Sequence, residues 1–191
     1  MLTLVLAVLA VSAAASMRLA LPLLTISLFY SQELLTKIPL FKQIDPQVIL
    51  AIGISWSLFE LFGSKKLLGQ RVLQIIQLLF SPFVGSLAAV TITYIFKIDF
   101  QPIWLIGMIG GIFTLVLALV QVGWFFRLRG IPIWLVCLED ILCIALVFLA
   151  FTAPEQGGLI ALILFWLAIR SSNAWRQWYS TKPNSISYHH Q

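Results

Sequence analysis

The stretch SAAASMRLALPLL (residues 12–24) decides how this chain is read, because it places one arginine in an otherwise lipid-like run. Arg18 is the only charged residue between Leu2 and Gln32. A guanidinium at bilayer depth costs ~3 kcal/mol on insertion scales, so such residues are typically paired or functional. The apolar run from Leu2 to Tyr30 is 29 residues long, or ~43 Å as one helix, against a hydrocarbon core of ~30 Å. It must tilt strongly or break. Small residues followed by Arg18 and Pro22 mark the natural place, because proline removes a backbone donor and clashes with the preceding turn.

The whole chain shares this character. Of its 191 residues 61% are hydrophobic and 10% charged, with a mean hydropathy of +1.01. Soluble domains carry roughly 25% charged residues, so this chain cannot cover itself with a polar surface. The expected fold is all-α, a polytopic membrane helical bundle. Apolar runs and turn signals suggest six spans, near 2–30, 48–63, 72–96, 103–126, 133–152 and 157–174. The bundle would fill residues 1–176, with a polar, disordered tail over 177–191. The N-terminal run lacks the basic region of a secretory signal, so it is expected to stay as the first helix.

Basic residues alternate between the connectors. Lys65, Lys66, Arg71, Arg127, Arg129, Arg170, Arg176 and Lys182 would share one side, against Lys37, Lys42 and Lys97 on the other. The positive-inside rule then makes both termini cytoplasmic. Scattered in this way, the net charge of +5 speaks for membrane orientation and against nucleic acid. The expected surroundings are the lipid bilayer and other membrane proteins or further copies of the chain. Lys65, Lys66 and Arg71 are candidates for contact with an anionic lipid.

Polar and small residues recur at helical spacing. Gln70, Gln74, Gln77, Ser81 and Gly85 fall on one face, as do Gly107, Gly111, Thr114, Ala118 and Gln121. Gly107 and Gly111 form a GxxxG pair. Two readings stay open: the stripes are where helices pack, or Gln74, Gln77 and Gln121 line a cavity with Glu60 and Arg18. Glu60, Glu139 and Asp140 are the candidate partners of Arg18. Adjacent helix positions differ by about 100°, so Glu139 and Asp140 cannot share one partner equally.

Both histidines lie in the tail, and Cys137 and Cys143 have neither zinc-knuckle nor redox spacing. There is no phosphate loop and no HExxH, so no metal, cofactor or catalytic set is expected, and the protein is read as a non-enzyme. MRLALP (17–22) has a counterpart in FRLRGIP (126–132), and LFELF (58–62) a loose echo in CLEDIL (137–142). Halves of three spans each would insert oppositely, so a 3+3 inverted repeat is one arrangement the sequence admits.

AAASMRLALPLL (13–24), SLFELFGSKKLLGQRVLQIIQLLFSPFVG (57–85), WLIGMIGG (104–111) and LVCLEDILCIAL (135–146), with LAIRSSN (167–173), resemble the bacterial membrane proteins grouped as domain of unknown function 4126. The resemblance spans residues 2 to 178, with Met17 where the common pattern has glycine. It implies an integral protein of a bacterial inner or internal membrane and supplies no activity. The function expected from the residues is transporter- or permease-like, for a small solute or ion. The rival is a structural or assembly subunit.

Overall fold

The structure, a computed structural model, describes residues 2–29, 46–63, 67–97, 102–128 and 133–180. Seven helices account for nearly all of them: α1 Leu2–Met17, α2 Ala20–Phe29, α3 Pro46–Gly63, α4 Leu67–Ile95, α5 Ile103–Leu128, α6 Ile133–Thr152 and α7 Pro154–Ser180. Prolines punctuate the chain where helices start. Pro46 and Pro154 open α3 and α7, and Pro102 and Pro132 immediately precede α5 and α6. At the far end of α4, Lys97 adopts φ 51°, the left-handed conformation that stops a helix.

The first apolar run is broken at Arg18 and Leu19. Pro22 explains the position, since its missing N–H and its ring forbid a helical bond to the carbonyl four residues earlier, that of Arg18. Pro82 sits inside α4 without breaking it. Its counterpart carbonyl, Leu78, instead accepts a hydrogen bond from the Ser81 hydroxyl at 3.3 Å.

Large apolar side chains point outward and small ones inward. Ala7, Ala10, Ala13, Ala14 and Ala15 are wholly buried, while Phe59, Phe62, Phe83, Trp104, Trp134, Ile141 and Phe148 are exposed. Water would penalise such an exterior; lipid does not. Arg71–Ile95, Ile103–Phe125 and Trp134–Thr152 are each long and apolar enough to cross a membrane. The chain thus forms an all-helical bundle of membrane type.

Residue pairings fix the helix directions. Ala14 of α1 and Arg18 just beyond its end meet Cys143 and Asp140 of α6. Ser16 and Met17 meet Gln77 of α4, whereas Ser12 lies by Gly110, itself against Gly85 and Ala89. Leu6 packs on Gly158, and Phe113 and Trp124 of α5 meet Phe165 and Ser171 of α7. Hence α1 runs parallel to α5 and α7 and antiparallel to α4 and α6, at the centre of a five-helix bundle. Six regularly alternating spans would set α1 against α5 and α7, so this is a correction to that expectation. The cause is α2 and α3. They run antiparallel to each other, Leu19 beside Glu60 and Leu24 beside Gly53, and return the chain to the end from which α4 starts. Leu2 and Ser180 consequently lie at opposite ends of the bundle, not at one end as the alternation required. Helix α7 also continues to Ser180, so residues 177–180 are helical and not part of the expected tail. Residues 181–191 are outside the described ones.

The two arginine–proline motifs occupy different places: MRLALP spans the α1–α2 break, while α5 runs unbroken through Phe126 to Leu128. LFELF and CLEDIL, by contrast, bring Glu60 and Asp140 to the same break from two helices.

Candidate functional site

Breaking a helix in an apolar interior strands carbonyls at one new end and N–H groups at the other. Side chains from two helices, α3 and α4, meet them here. At the end of α1 the Gln77 amide of α4 donates to the carbonyls of Ser16 and Met17, the latter at 2.6 Å. Further back in α1 the Thr114 hydroxyl of α5 lies 2.9 Å from the Ser12 carbonyl and 2.8 Å from that of Gly110, and the Cys143 thiol of α6 lies 3.5 Å from the Ala14 carbonyl, which already accepts from the Arg18 N–H at 3.1 Å. Opposite, Glu60 of α3 accepts from the Leu19 N–H at 3.2 Å and from Trp56 Nε1 at 3.1 Å. Its carboxyl therefore sits at the N-terminus of α2, where the helix dipole favours negative charge.

Arg18 lies in the gap, only 6% exposed, and its Nε donates to Asp140 Oδ1 at 2.5 Å. Asp140 is the eighth residue of α6, roughly 10 Å along it. Glu60 is 4% exposed, and both it and Glu139 lie within electrostatic reach of Arg18. One guanidinium thus contacts one carboxyl group and lies within electrostatic reach of two more. Arg18 Nη2 and Glu60 Oε2 are buried without a hydrogen-bond partner among the described residues.

Glu139 turns to the other side of α6, as adjacent helix positions must. There Gln121 Nε2 of α5 donates to its Oε1 at 3.4 Å, and both residues line a cleft of about 320 Å³ between α1, α5, α6 and α7. Ser16 and Met17, just before the break, form part of the same wall.

The structure therefore gathers Arg18, Glu60, Gln77 and Asp140 at the break, and places Gln121 and Glu139 on the cleft beside it. Gln74 is half-buried on α4, one turn before Gln77. The rest of both stripes packs. Ser81 and Thr114 are fully buried, Gly85 lies against Thr114 and Gly110, Gly107 against Ser86 and Val90, and Gly111 against the Pro82 carbonyl. Arg71 is exposed near the start of α4; Lys65 and Lys66 lie outside the described residues, as does the side chain of Gln70. Trp56, Thr114 and Cys143 were not recognised as parts of the break from sequence. Only Trp56, four residues before Glu60 and so on its helical face, carried a local signal.

The comparisons with known proteins come down to one finding. A model of the family described as Domain of unknown function (DUF4126) matches residues 5–174. The chain belongs to this family. The match covers the break, both stripes and the Glu139–Asp140 pair, so the family's domain contains the whole candidate site. No curated protein and no solved structure matches the chain.

Proposed function

We propose that the protein is a permease-like membrane protein for a small solute or ion, working at the α1–α2 break. The observation that carries this reading is one buried guanidinium at a helix break, paired with Asp140 and within electrostatic reach of Glu60 and Glu139, beside a cleft. Broken helices mark substrate and ion sites in transporters, because their free ends supply dipoles and backbone groups to a bound charge. A surplus of acids around one guanidinium calls for a proton or a cation to balance it. In this reading the bundle end bearing Arg71 and Arg170 faces the cytoplasm, as the positive-inside rule requires. No catalytic step and no cofactor enter.

The test is flux in proteoliposomes under an imposed diffusion potential, with internal dyes for protons, sodium and potassium. Flux above protein-free vesicles, cut ~10-fold or more by Glu139→Gln, is expected for an ionisable group on the pathway. Absence of protein-dependent flux for all three ions would overturn a cation- or proton-linked permease.

A second reading, as a structural or assembly subunit, draws on α3. It leaves Val48, Ile52, Leu58, Phe59 and Phe62 exposed. Purification in mild detergent would then retain a stoichiometric membrane partner; a clean monomer removes that reading.

A further inference from the structure

We propose that the cleft between α1, α5, α6 and α7 binds a membrane-soluble amphiphile whose head is a cationic hydrogen-bond donor, such as a long-chain amine. This rests on the permease reading and gives it a substrate class. The cleft's volume of about 320 Å³ lies in the range of ligand pockets, and Met17, Leu117, Leu138, Leu142, Leu164 and Leu167 supply an apolar wall for a hydrocarbon body.

The polar groups on that wall select the head. Ser16 Oγ donates to the Ala13 carbonyl at 2.6 Å and Trp124 Nε1 to Ser171 Oγ at 2.8 Å, so both donors are committed. Two acceptors remain. Gln121 Oε1 is buried with no partner among the described residues, and the bond from Gln121 Nε2 to Glu139 fixes which way its amide points. The Glu139 carboxyl receives only that single contact, at 3.4 Å, among the described hydrogen bonds. Arg18, the cation nearest to hand, is engaged with Asp140. One acceptor without a donor, beside a carboxyl with a single long contact, favours a donor head, and a carboxylate in an apolar cleft favours a cation over an anion.

Protein in zwitterionic nanodiscs is titrated with ω-bromododecylamine and, separately, ω-bromododecanoate, reading quenching of Trp124 as the difference from Trp124→Phe. The amine should quench saturably and the acid should not. Glu139→Gln should weaken the amine roughly ten-fold or more, as expected on losing a charge-assisted bond. Leu164→Phe, which narrows the cleft from α7 and touches neither acceptor, should weaken it too. Equal quenching by both heads, or an amine titration unchanged in both variants, would overturn the proposal. Ion flux that persists without amine binding would sink this inference alone, and amine binding without flux would sink only the permease reading.

Discussion

In an apolar interior the Arg18 guanidinium meets one partly buried partner, Asp140, which accepts its Nε at 2.5 Å. Removing one member of a buried pair leaves the other uncompensated, at a cost of about 3–5 kcal/mol. Arg18→Leu and Asp140→Leu should each destabilise the detergent-solubilised protein by that order, and the double variant by clearly less than their sum. Strict additivity in thermal unfolding would deny the pair. Gln77→Leu should cost about 1–3 kcal/mol, since it strips the donor from two α1 carbonyls. An unchanged midpoint would mean that water or the backbone satisfies them. The sequence showed Arg18 as the problem and confined its partners to three acids. It could not choose among them, because the choice depends on how α6 is rotated, and an aspartate and glutamate side by side offer both faces.

At the scale of elements, the small-residue stripes are close contacts between backbones. A Cβ on Gly85 would collide with Thr114 and stand 3.0 Å from the Gly110 carbonyl, whereas one on Gly53 would meet only Leu24 at 3.9 Å. Gly85→Ala should therefore destabilise by about 1–3 kcal/mol, as overpacking does, and regain part of that when combined with Thr114→Ala. Gly53→Ala should stay within about 0.5 kcal/mol of the parent. Equal effects at both glycines would show that α4 and α5 do not approach so closely. The break itself was legible, because the run was too long for one crossing and Pro22 fixes where it fails. The contacts that satisfy it were not, since Gln77 and Glu60 lie 60 and 41 residues from the backbone groups they serve.

For the whole molecule, hydropathy locates apolar segments but carries no information on whether a short helix crosses or returns. Hydropathy therefore sets the first apolar run in alternation with the others, while the α2–α3 pair returns the chain and leaves α1 parallel to α7. The Arg18–Asp140 pair and the cleft both depend on that direction. Paired cysteines test it most directly, in a Cys137→Ser, Cys143→Ala background. A Cβ at Gly157 would lie 3.1 Å from that of Ala10, within reach of a disulfide after slight adjustment. Ala10→Cys with Gly157→Cys should cross-link on mild oxidation, and Ala10→Cys with Ala168→Cys should not. Cross-linking of the second pair without the first would contradict the central placement and direction of α1.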